Sequence, residues 1–227
     1  MITPAHRCRP FVAAFGAVFG LTPATAAQTR VDVIPYVARY VPLTSMVSGD
    51  SFAVPSVTQH ATVALGGRVT VWLPSGVGIE STFGYAPSDV NPSATYDCCN
   101  AAHVIVASNK VLAPVVVAGP ISLRLGGGLG LVAHGGRAYV HLGGATSLAG
   151  VASASVAIKL SPSPSPFTLR LDAEDYAFKP NLSALPGCDL GGYTGICGHI
   201  ARMVSHKSPL QNDMVLSAGL ALSIREP

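Results

Sequence analysis

The sequence predicts an all-β protein, an eight-stranded antiparallel up-and-down transmembrane β-barrel, on three observations. Apolar and polar residues alternate with a period of two in segment after segment, the spacing of a strand whose two faces meet different surroundings. These segments are 10 to 13 residues long, beyond the roughly 5 to 6 of soluble strands and near the roughly 9 to 11 that a tilted strand needs to cross a bilayer. The connections between them alternate long and short throughout.

Composition agrees. Charged residues make up 11% and hydrophobic residues 49% of the 227-residue chain, whereas soluble proteins carry about 25% charged residues. No run reaches the roughly 20 apolar residues of a membrane-spanning helix. Residues 1–27 read as a secretory signal peptide: His6, Arg7 and Arg9 form a basic start, FVAAFGAVFGL (11–21) a short apolar core ending before Pro23, and ATAA (24–27) a small-residue cleavage site near Ala26 or Ala27. Residues 28–227 are then the barrel domain. Loss of Arg7 and Arg9 lowers the formal charge from +3 to +1, which leaves no electrostatic case for binding nucleic acid.

In chain order, the first strand is expected over 30–41 (RVDVIPYVARYV). The second, 61–73, alternates cleanly: Ala61, Val63, Leu65, Gly67, Val69, Val71 and Leu73 share one face, and Thr62, Ala64, Gly66, Arg68, Thr70 and Trp72 the other. Weaker patterns place strands at 76–86 and 102–112. The fifth, 121–132, sets Ile121, Leu123, Leu125, Leu129 and Leu131 against Ser122, Arg124 and glycines; a weaker sixth lies at 148–160. The seventh, 166–176, opposes Phe167, Leu169, Leu171 and Ala173 to Thr168, Arg170, Asp172 and Glu174, and the last, 213–224, carries Met214, Leu216, Leu220, Leu222 and Ile224 on one face. Long connections fall at 42–60, 87–101, 133–147 and 177–212, and short ones at 74–75, 113–120 and 161–165. The SPSPSP run (161–166) is read as a turn between strands rather than a linker.

The polar faces carry Arg68, Glu80, Arg124, Lys159, Arg170, Asp172 and Glu174. A lipid-facing Arg or Lys near the midplane costs about 2–4 kcal/mol, so these side chains are expected inside. The lumen of an eight-stranded barrel is just wide enough for side chains; mixed charges there pair with one another. Asp172 and Glu174 as a hydrolytic acid pair find no further support in the pattern, and no residue is assigned a catalytic role.

One stretch invites another reading. GGGLGLVA (126–133) sets Gly128, Gly130 and Ala133 at the G-x-G-x-x-G/A spacing of a dinucleotide-binding turn. Such a turn needs a following helix, and HGGRAYVHLGG follows instead. The glycines alternate with leucines, as expected of a strand whose inner face leaves space for bulky neighbours such as Arg124 or Trp72. No cofactor is expected.

Cys98 and Cys99 lie in the second long connection, and Cys188 and Cys197 in the fourth. In an oxidising compartment they are disulfide candidates, either as cross-links between the two loops or with a local Cys188–Cys197 bridge. Together with His103, His199 and His206 they match no compact zinc spacing, so no metal is expected.

RVDVIPYVARYVP after the signal, LRLDAEDYAF near the seventh strand and QNDMVLSAGLALSI at the end make the chain resemble the small outer-membrane β-barrel proteins of the OmpX-like and OmpA-transmembrane-like group. The resemblance implies a bacterial outer-membrane location, lipid and lipopolysaccharide surroundings, insertion by the barrel-assembly machinery and a monomer. It departs from the group at its end, SIREP, where such barrels carry an aromatic residue. It implies a structural or surface-interaction role, with a narrow channel as a further form of that role. One alternative is an enzyme: His206-Lys207-Ser208 resembles the His-x-Ser of outer-membrane lipid A deacylases, without the following asparagine and with Pro209 directly after. A second alternative, a secreted soluble barrel holding a small apolar ligand, would turn the apolar face inward.

Overall fold

The computed structural model describes residues 30–46, 57–92, 101–139, 142–143, 145–160, 167–181, 183–184 and 210–225. Eight long strands form the wall: β1 (Arg30–Pro42), β2 (Thr62–Trp72), β3 (Gly78–Pro92), β4 (Ala101–Ala118), β5 (Ile121–Gly136), β6 (Thr146–Lys159), β7 (Phe167–Phe178) and β8 (Gln211–Arg225). Each pairs antiparallel with its sequence neighbours, and β8 returns to pair with β1, from Arg30↔Arg225 to Pro42↔Asp213. The sheet is therefore closed and has no free lateral edge along its shared length. Among the described residues no helix is long and apolar enough to cross a membrane; crossing falls to the strands.

The alternation seen in the sequence sorts side chains between two opposite environments. Outward-facing Val37, Val63, Leu65, Phe83, Leu125, Leu129, Leu171 and Leu216 are exposed. Inward-facing Arg68, Thr70, Glu80, Lys110, Arg170, Asp172 and Glu174 are buried. This inverts the arrangement of a water-soluble barrel and suits a wall facing hydrocarbon. It also runs against the soluble ligand-binding reading, which requires an apolar interior.

Short turns close one end. At β2–β3, Leu73 N–H donates to the Val77 carbonyl (2.8 Å) and Gly76 N–H to the Leu73 carbonyl (2.9 Å), with Gly76 at φ 82°. At β4–β5 the turn is far shorter than the expected 113–120, because β4 continues to Ala118, which pairs with Ile121 across Gly119-Pro120. Pro114 lies within this strand, where the register shifts between Pro114 and Val116. A bulge lets a residue without an N–H remain in the strand. At the opposite end β3 and β5 run past their expected limits to Pro92 and Gly136. There Val57–Gln59 adds to the end of β3, and Leu142–Gly143 pairs with Ser183–Ala184.

GGGLGLVA lies wholly within β5, as a strand. Its inward glycines make room for different neighbours from those expected. A Cβ on Gly126 would press on the Leu112 side chain, one on Gly128 on the backbone of Asn109 and Lys110, and one on Gly130 on Val151 and Tyr176. Outward Gly127 has only the Val151 carbonyl near, at 3.7 Å. Gly128→Ala should therefore destabilise the barrel by about 1–3 kcal/mol through overpacking, while Gly127→Ala should stay within about 0.5 kcal/mol of the parent. The check is the temperature at which unboiled protein loses its folded mobility on an SDS gel.

Candidate functional site

The middle of the lumen holds three cations and three carboxylates in contact across the barrel. Arg68 reaches from β2 to β7, where Nε donates to Glu174 Oε1 and Nη1 to Asp172 Oδ2, each at 3.2 Å, while Nη2 donates to Ser217 on β8 at 2.9 Å. Arg170, on β7, donates from Nε to Asp172 Oδ1 (2.7 Å) and from Nη2 to Glu80 Oε1 on β3 (3.0 Å), with Nη1 also on Glu80. Lys110, on β4, lies 3.1 Å from Glu80 and contacts Glu174. Thr70 donates to Glu80 at 2.6 Å and Tyr176 to Glu174 at 3.0 Å.

Aromatic side chains frame this layer. The Arg68 guanidinium sits 4.1 Å from the centre of the Tyr36 ring, a cation–π contact, and the Tyr36 hydroxyl donates to the Phe83 carbonyl at 3.0 Å. Gly66 and Gly84 supply the space: a Cβ on either would strike the Tyr36 ring or hydroxyl. Towards the loop end, Tyr40 donates to Asp213 at 2.5 Å. Tyr139, in the short 3-10 turn Arg137–Tyr139, donates to Gln59 Oε1 at 3.0 Å. Burial pushes the Tyr139 phenol well above its ordinary range, so it acts there as a neutral donor. His134 packs between Tyr139 and Phe178, with ring centres 5.4 and 5.9 Å away.

At the turn end, Asp32 accepts from Trp72 Nε1 and from Ser223 Oγ, each at 2.6 Å, and is paired with Arg30. Arg124 lies 4.4 Å over the Trp72 ring. Thus Arg68, Glu80, Arg170, Asp172 and Glu174 meet in one network, and Arg124 lies apart, half-buried at the mouth. Lys159, the last residue of β6, keeps the inward parity of Val151, Ser153, Ser155 and Ala157 and stands exposed at the turn-end mouth, on the same cavity as Arg124 and Trp72.

Sequence reasoning missed Lys110, Asp32, Tyr36, Tyr176 and Asp213. For Lys110 the parity of Ser108, Lys110 and the later-buried Val104 and Val106 was the available signal, but both faces of that segment are largely apolar. His103 faces outward against Tyr85, ring centres 5.6 Å apart. Cys98, Cys99, Cys188, Cys197, His199, His206 and Ser208 fall outside the described residues. Among the described residues no group of three His, Cys, Asp or Glu is placed to hold a metal.

The closed wall, apolar exterior and cross-lumen ion pairs define a transmembrane eight-stranded β-barrel with a side-chain-filled interior. No family model and no curated protein matches the chain. Solved structures similar to it include the Neisserial surface protein A, at 10% identity and TM-score 0.48, covering 87% of this chain and 99% of that one. The N-terminal β-barrel domain of OprF from Pseudomonas aeruginosa is similar at 10% identity and TM-score 0.44, over 86% and 97% of the two chains. The outer membrane protein OprG from the same organism has 10% identity and TM-score 0.48, over 87% and 96%. The description of this barrel rests on its own pairing and lumen.

Breaking the network on one side leaves a buried charge without its partner, which costs about 3–5 kcal/mol. Lys110→Met should destabilise the barrel by that order, and Lys110→Met combined with Glu174→Gln by less than the two single changes together, because each removes the other's unpaired charge. Urea unfolding of the four proteins in detergent micelles measures the coupling.

Proposed function

We propose that this chain is an integral protein of the bacterial outer membrane with a structural or surface-interaction role, its lumen closed by ion pairs and its long connections available to partners. The observation that carries this reading is the inversion of polarity, with charge inside and hydrocarbon side chains outside. Charges held in the wall's interior by Arg68–Glu174 and Arg170–Glu80 contacts fill the cross-section that a solute would need. The long connections gather at one end and the tight turns at the other, which supports an outward loop face and a periplasmic turn face. Outer-membrane lipids and lipopolysaccharide are then its surroundings, the barrel-assembly machinery its route in, and a monomer its working form.

The protein should appear in the outer-membrane fraction and migrate differently on SDS gels before and after boiling. Recovery in the soluble fraction without that shift would sink the assignment. In a planar bilayer the wild-type protein should give no steady ion current. A steady current would replace the closed-lumen reading with that of a narrow channel. Hydrolysis of lipid A acyl chains that disappears in Ser208→Ala would replace both with the deacylase.

A further inference from the structure

The turn end of the barrel opens into a vestibule of about 500 Å³ lined by Arg30, Trp72, Arg124 and Lys159 and rimmed by Leu73, Val117 and Ile121. Its charge is unbalanced. Asp32 is the one acid among the described residues there, and both its oxygens are taken: Oδ2 accepts from Trp72 and Arg30, and Oδ1 from Ser223 while lying 3.1 Å from Arg30 Nε. No described carboxylate forms an ion pair with Arg124 or Lys159. The turns at 73–77 and 119–120 contain no charged residue, and the sequence between β6 and β7, 160–166, contains none either. Among the described residues three cations, Arg30, Arg124 and Lys159, stand against one acid, Asp32.

The cations are also arranged for a ligand. The indole of Trp72 holds the Arg124 guanidinium at 4.4 Å and that of Arg30 at 5.1 Å. A guanidinium lying over an aromatic ring keeps the donors at its rim directed sideways, where they can fork onto oxyanion oxygens. Lys159 adds a point charge on the same mouth.

We propose that this vestibule is an anion site that takes a phosphate group. Its excess of two positive charges matches a phosphate monoester, and its apolar rim of Leu73, Val117 and Ile121, all exposed, favours a phosphate carried on a lipid at the membrane face over one in solution. The site goes beyond the surface role proposed above and does not depend on which partner the loops meet.

Trp72 is the only tryptophan of the chain, so its fluorescence reports on the vestibule directly. The full barrel, folded in a phosphate-free maltoside detergent, is titrated with short-chain phosphatidic acid, with glycerol 3-phosphate and with inorganic phosphate, against chloride at equal ionic strength. Phosphatidic acid should shift the emission saturably at concentrations about tenfold or more below those of the two soluble anions, and Arg124→Gln combined with Lys159→Gln should weaken it about tenfold or more. Retention of the gel shift on heating shows that the double variant is folded; should it fail to fold, Lys159→Gln alone serves, with a smaller weakening expected. Equal affinity for the soluble phosphates would keep the anion site and make its source soluble. A response matched by chloride, or unchanged in the folded variant, would overturn the proposal, and neither result bears on whether the chain is an outer-membrane barrel.

Discussion

The balance of charge in the middle of the lumen is the constraint on which the rest of this barrel depends. Arg68, Lys110 and Arg170 face Glu80, Asp172 and Glu174 with all six side chains withdrawn from solvent. Buried ions are tolerated only when paired and hydrogen-bonded. Here each carboxylate meets at least two donors, and each cation also reaches a carboxylate on a strand that is not its neighbour in the wall: Arg68 and Lys110 reach Glu174, and Arg170 reaches Glu80. The network thus ties β2, β3, β4, β7 and β8 together across the axis, whereas backbone pairing joins only adjacent strands. The outer hydrocarbon side chains of the wall form no core in lipid, so these polar contacts share the role of a core with the buried apolar cluster of the lumen, which includes Val104, Val106, Val151 and Phe178.

Space for that network comes from small residues at chosen places. Tyr36 fits because Gly66 and Gly84 carry no Cβ, and Tyr176 and Lys110 fit because Gly130 and Gly128 carry none. The glycine-rich stretch of β5 is therefore one side of the same packing solution whose other side is the large interior side chains. At the loop end the Tyr139 hydroxyl donates to Gln59 Oε1 and the Tyr40 hydroxyl to Asp213.

Much of this architecture is readable from the order of residues alone, because a strand between lipid and a polar lumen must alternate, and does so plainly in 62–72 and 167–178. The glycines of β5 were equally legible as strand residues once no helix followed them. Reading became harder where both faces are apolar: 101–112 and 30–42 conceal Lys110 and Asp32 within runs of Val, Ala and Ile. Strand ends misled for another reason. Pro87 and Pro114 both look like breakers, yet each lies inside a strand, since the loss of one N–H matters little at a rim or a bulge. Which residues meet across the lumen depends on register and strand tilt, and these are properties of the closed sheet rather than of any segment. For that reason the neighbours of Gly126, Gly128 and Gly130 differ from the Arg124 and Trp72 that the sequence suggested.

The overhang of the β4–β5 hairpin has a consequence for what the barrel refuses to do. Beyond Leu112, which is opposite Gly78, β4 continues to Ala118 with β5 as its only ladder partner among the described residues, so one margin of it projects bare past the closed wall. Val115, Val116 and Val117 on this projection are exposed and strand-prone, the kind of margin onto which a foreign strand could zip. Pro114 removes a donor from it and the adjoining bulge throws the rest out of step. An incoming chain therefore finds no continuous run of groups to copy, and a barrel crowded among its own kind is kept from growing into a fibre at this projecting margin.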